Sequence, residues 1–165
     1  MVRTEHLRRG RSEAGLLFGA LILFSLGCFS LVFASPLDGR DEPTIEELKG
    51  RVANASVADR PPLCIRIAER QLDTVDRLYI AGDSEKALAA LTEMTAFAEL
   101  ARDYAVQSHK HEKQSEIAVR KMARKLGGLK HIVSREEQDE IEKSINRLEQ
   151  IRDDLLAAMF RGGNK

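Results

Sequence analysis

Residues 84–126 read SEKALAALTEMTAFAELARDYAVQSHKHEKQSEIAVRKMARKL. Ala87, Leu91, Met94, Ala98, Ala101 and Ala105 recur at alternating steps of four and three. That is the apolar stripe by which one helix packs on another. The same step passes through Ser108, Glu112 and Ser115, and apolar residues resume at Val119, Met122 and Leu126. No Gly or Pro falls between, and kinks usually have such a cause. The spacing therefore predicts one unbroken helix over 84–126, about 65 Å long at roughly 1.5 Å per residue. Gly127-Gly128 is expected to stop it. A break near 107–112 is the alternative.

The neighbouring segments show the same period. Gly82-Asp83 closes a tight turn before this helix. Upstream of it, Ile65, Ala68, Leu72, Val75 and Tyr79 step by three and four, and Asp59-Arg60-Pro61-Pro62 opens that helix, since proline loses nothing in a first turn. Further back, Thr44-Ile45-Glu46-Glu47 forms a capping box ahead of Ile45, Leu48, Val52 and Ala55, in a short helix weakened by Gly50. Downstream, Ser134-Arg135-Glu136-Glu137 is a second capping box. Ile141, Ile145, Leu148, Leu155 and Met159 line the last helix, and Arg152 interrupts them. No strand pattern occurs. The fold class is all-α: an antiparallel bundle of about four helices, one very long, over residues 44–161, with 162–165 frayed.

Residues 35–43, SPLDGRDEP, read as a linker. Before it, residues 14–34, AGLLFGALILFSLGCFSLVFA, form a run of 21 uncharged residues behind Arg3, Arg8, Arg9 and Arg11. The first reading is a secretory signal peptide cut after Val32-Phe33-Ala34. The second is a retained anchor, since about 32 Å of helix spans a bilayer and the arginines hold the N-terminus in the cytoplasm. The third is a lipoprotein signal ending at Cys28. The expected address is periplasmic or secreted, or the inner membrane with contact through residues 14–34.

Of 26 basic and 26 acidic residues, residues 1–34 hold four arginines and two glutamates, leaving 22 against 24. That balance gives no global attraction to nucleic acid. Cys64 is the sole cysteine after the leader. It reads as a small buried hydrophobe, with an intermolecular disulfide as the alternative.

The chemistry-bearing side chains cluster where the apolar stripe turns polar, at residues 107–116, QSHKHEKQSE. His109, Glu112 and Glu116 share a helical face, and with His111 they are the candidate metal ligands. A buried Glu112 needs a partner, so this stretch projects into water, pairs with a basic group on another helix, or binds a ligand. Residues 109–131 also hold seven basic side chains, of which Lys110, Lys113, Arg120, Lys121, Arg124 and Lys125 form a candidate partner-binding patch. Residues 135–154 hold eight acidic against four basic, and pairing between the third and fourth helices is the simplest account. The alternative is a face for an acidic protein, an anionic envelope polymer or lipid headgroups. Nucleic acid is not expected, because the stripe lacks stacking aromatics. No nucleophile elbow, phosphate loop, zinc signature or cofactor motif occurs.

The turn LYIAGDSEKAL (78–88) resembles the inner turn of a tetratricopeptide repeat at Gly82, Asp83 and Ala87. The likeness covers one hairpin, and no second copy follows at a 34-residue period. It therefore reads as an ordinary αα-hairpin. Ser134 and Gln138 are similar in placement to the Leu-Thr-x-x-Gln motif of small periplasmic helical chaperones, with the spacing off by one and one copy instead of two. The expected function is a non-enzymatic exported helical interaction or scaffold protein, acting on a protein partner or on itself. A small-ligand or metal-binding bundle and a chaperone-like periplasmic protein are the alternatives.

The leader gives the first test. Intact mass of the exported chain is expected to correspond to a start at Ser35. A chain that retains Met1, or begins at a lipidated Cys28, contradicts it.

Overall fold

The computed structural model describes residues 42–162, so the leader and most of the linker lie outside it. The described residues are helical throughout, with no strand: α1 (Ile45–Asn54), a 3-10 turn (Val57–Asp59), α2 (Arg60–Ile80), α3 (Ser84–Ser108), α4 (Glu112–Leu129) and α5 (Arg135–Gly162). No helix among them is long and apolar enough to cross a membrane.

Local chemistry sets most of the boundaries. The Thr44 hydroxyl accepts from the Glu47 amide at 3.2 Å, and the Glu47 carboxylate accepts from the Thr44 amide at 2.7 Å. Both halves of the first capping box are therefore made. Pro61 and Pro62 sit in the first turn of α2. Gly82 takes φ +76°, a left-handed value that L side chains resist. Asp83 then caps α3 through the Lys86 amide at 3.4 Å. At the second capping box, the Ser134 amide donates to Glu137 at 2.7 Å.

Cross-helix pairs give the directions. Ser84 donates to Glu137, Arg147 pairs with Glu99, and Arg102 meets Asp154 at 2.8 Å. The numbers rise together, so α3 and α5 run parallel. Lys125 reaches Asp73 at 2.7 Å, while Gln114 and Lys121 lie across a groove from Pro62 and Glu69, so α2 and α4 run parallel too. The bundle is two antiparallel hairpins, α2–α3 and α4–α5, laid side by side. α3 packs on α2 and α5, and α4 packs on α5 and more thinly on α2. α3 and α4 touch less than either hairpin pair, so the link between them crosses the bundle. α1 lies against α2 and is tied to α3 by Lys49 on Glu93 at 2.5 Å, the same Glu93 that accepts from buried Gln71.

The apolar stripe of α3 is buried as expected, from Ala87 to Ala105, and α4 adds Val119, Met122 and Leu126. In α5 the core consists of Ile141, Leu148, Ile151, Leu155 and Ala158, with Ile145 half-buried. Of the α1 positions, Leu48 alone is fully enclosed.

Two expectations are overturned. The helix over 84–126 is not continuous: the chain reverses at His109-Lys110-His111, with His109 at φ 53° and His111 at φ 63°. Left-handed backbone costs roughly 1–2 kcal/mol for an L-residue. A straight helix would carry the α4–α5 hairpin away from α2 and α3, and closing Val119, Met122 and Leu126 into the bundle outweighs the local cost. The bundle therefore has five α-helices among the described residues. Gly127-Gly128 does not stop α4 either. The helix runs on to Leu129, whose side chain is buried.

Cys64 is fully enclosed, and burial pushes its thiol up to about 11. Its alkylation, followed by peptide mapping, is expected to proceed only as fast as the bundle opens. Rapid labelling of the folded chain at neutral pH contradicts this placement. In the core, Leu148→Ala is expected to cost about 2–5 kcal/mol in denaturant titration.

Candidate functional site

The polar stretch lies at the α3–α4 junction. Ser108 is the last residue of α3, and its hydroxyl donates to the Tyr104 carbonyl at 2.7 Å. α4 opens on His111 without a side-chain cap. The His111 ring nitrogen Nδ1 faces Gln114 Oε1 at 3.1 Å, and His109 Nδ1 lies 3.7 Å from Glu112 Oε1. The Glu112 side chain is 14% exposed, and its Oε1 has no hydrogen-bond partner. Its place in the first turn of α4 sets its charge against the positive end of the helix dipole.

The four residues singled out as metal ligands are not gathered around one point. His109 and Glu112 approach each other, His111 turns to Gln114, and Glu116 turns inward. Among the described residues no group of three or more His, Cys, Asp or Glu is placed to hold a metal ion. A cleft of about 500 Å³ beside the junction is lined by His111, Glu112, Lys113, Gln114, Ile117 and Met159.

A basic partner on another helix, one of the three outcomes open to Glu112, goes to Glu116 instead. Glu116 is buried and lies 3.4 Å from Arg120 Nε on its own helix and 3.7 Å from Arg152 Nε on α5. Arg152 interrupts the apolar line of α5 because it reaches this carboxylate. Buried Ser115 adjoins Glu116 in sequence, so the core turns polar near the junction. Arg152 was absent from the sequence-based site. The signal for it was a charged side chain at an inward position, opposite a helix with an inward glutamate.

The basic residues of α4 do not pair chiefly with α5. Lys125 goes to Asp73 and Asp76 on α2, at 2.7 and 3.9 Å, and Arg120 goes to Glu116. Lys130, in the turn after α4, is the one that meets α5, at Glu142. Two further acidic side chains of α5 pair elsewhere: Asp154 with Arg102 on α3 and Glu140 with Lys143 on its own helix at 2.7 Å. Lys110, Lys113, Lys121 and Arg124 are exposed and make no ion pair among the described residues. At about 100° per residue, Lys113, Arg120 and Arg124 fall within roughly 40° of one another around α4. Lys121 flanks them.

Carboxylates elsewhere are held charged by their neighbours. The Ser84 hydroxyl and Ser134 lower Glu137, and Arg70 and then Arg66 lower Glu42. Each favours the folded chain above the ordinary carboxylate range, and that contribution fades as pH falls through the lowered values.

No family model, curated protein or solved structure matches this chain.

Arg152→Ala leaves buried Glu116 with Arg120 alone and removes its cross-helix cation, and is expected to cost about 1–3 kcal/mol. Adding Glu116→Gln is expected to recover part of that loss. Thermal melts of both single variants and the double variant check it; additive losses contradict the coupling.

Proposed function

We propose that this chain is a non-enzymatic helical interaction protein of the cell envelope, exported or tethered by residues 1–34, whose α4 takes an acidic partner. The observation that carries the reading is the set of exposed cations at Lys110, Lys113, Lys121 and Arg124, without ion pairs among the described residues. Like charges at i and i+4, as in Arg120/Arg124 and Lys121/Lys125, cost a helix about 0.2–0.5 kcal/mol each. A partner bearing carboxylates or phosphates relieves that repulsion. Other cations near the core already have counterparts: Arg102 with Asp154, Arg147 with Glu99, Lys49 with Glu93.

The polar groups at the junction frame no arrangement of nucleophile, base and oxyanion donor among the described residues. The envelope address rests on residues 1–34, and the acidic partner is a protein or polymer of that compartment.

Photo-cross-linking groups at positions 121 and 124 of the full chain, expressed in cells, test this. Adducts are expected from both positions and not from a control at Glu149 on α5. The combined variant Lys113→Glu, Lys121→Glu, Arg124→Glu is expected to reduce adducts from a group at Lys110 about tenfold or more. Added salt is expected to weaken capture, because the screening length is about 8 Å at physiological ionic strength. Adducts indifferent to charge reversal and salt contradict the reading.

A further inference from the structure

The reversal between α3 and α4 differs from the other turns. Gly82 takes the left-handed position before α3, and Thr44 and Asp83 cap their helices. At the α3–α4 link two histidines adopt left-handed backbone on either side of Lys110, and α4 begins without a side-chain cap. Neither Gly nor Pro is present to favour a turn. The end of α3 and the start of α4 therefore leave backbone groups that a continuous helix would pair.

The apolar step also survives the link unbroken. Ala105 is buried at the end of α3, and Ser115, Val119, Met122, Leu126 and Leu129 are buried along α4. Through Ser108 and Glu112 these positions keep the alternation of three and four. One stripe thus faces α2 and α5 from α3, and again α5 and α2 from α4. A fused helix over 84–129 would present that stripe on one side. Its first half would need an α4–α5 hairpin to cover it, and its second half an α2–α3 hairpin.

We propose that this chain has a second state in which α3 and α4 join into one helix through His109-Lys110-His111, and two copies exchange their α4–α5 hairpins. The partner is a second copy of the chain, because the contacts to be remade are those of the closed bundle: the packing of α3 on α5 within one core, Arg102 with Asp154, and Lys125 with Asp73. Each is satisfied equally within one chain or between two. The exchanged dimer therefore keeps the core and sheds the two left-handed histidines. Closed monomers are favoured by dilution and exchanged dimers by concentration. This state does not depend on the acidic partner of α4, and the tests separate the two.

The experiment compares the full chain in non-ionic detergent with two hinge variants. His109→Gly/His111→Gly removes the left-handed penalty and is expected to shift the equilibrium toward monomer about tenfold per substituted residue in sedimentation. His109→Ala/His111→Ala favours the helix and is expected to shift it toward dimer, by about threefold per substituted residue. Association through residues 1–34 would be blind to both. Exchange is read directly by refolding together a chain carrying Arg102→Cys and a chain carrying Asp154→Cys, then adding a short bis-maleimide. A cross-link between chains is expected in the dimer fraction, and the cross-link falls inside one chain in a monomer carrying both cysteines. Equal dimerisation by the Gly and Ala variants overturns the proposal. So does a dimer whose doubly substituted chains cross-link only within themselves.

Discussion

The α4–α5 hairpin lies against α2–α3 because the chain accepts left-handed backbone at His109 and His111. That local cost, roughly 1–2 kcal/mol per residue, is set against the burial of Val119, Met122 and Leu126 with Leu148, Ile151 and Leu155. Burying a leucine-sized side chain contributes about 1.5–3 kcal/mol, so three or four such residues outweigh the junction. The bundle, the polar end of its core and the outward face of α4 all follow from that reversal.

Features that depend on neighbours in sequence were legible from the sequence. The Thr44 box, the Asp83 cap, the prolines opening α2 and the stripe from Ala87 to Ala105 are local patterns, and the structure contains each of them. The break falls inside the alternative window at 107–112, but nothing in the sequence chose it over a continuous helix, because its cause lies in α5 and α2, far along the chain. A stripe that continues in step gives no sign that its two halves pack in opposite directions. Gly127-Gly128 misled for a related reason: glycine permits a helix to end without requiring it, and the burial of Leu129 carries α4 past both.

The candidate site was legible in location and not in pairing. The polar stretch at 107–116 does mark the end of the apolar core. Which charges meet there depends on how α4 is rotated and which way α5 runs, and neither is written in α4 itself. Glu116, not Glu112, therefore faces Arg152, and Lys125 turns to α2 while Lys121 and Arg124 stay free of ion pairs among the described residues. Arg102, Arg147 and Lys125 pair between helices, and Lys113, Lys121 and Arg124 on the outer face of α4 make no ion pair among the described residues.

The reversal is open to direct measurement. Spin labels at Glu85 and Arg124 report on it by pulsed dipolar spectroscopy in the monomer fraction. The start of α3 and the end of α4 share one end of the folded bundle, and helices across a bundle lie within about 15–20 Å. The account predicts a narrow distribution below about 30 Å with label linkers included. A continuous helix would separate the two positions by roughly 58 Å at 1.5 Å per residue. A monomer dominated by that distance would contradict the account.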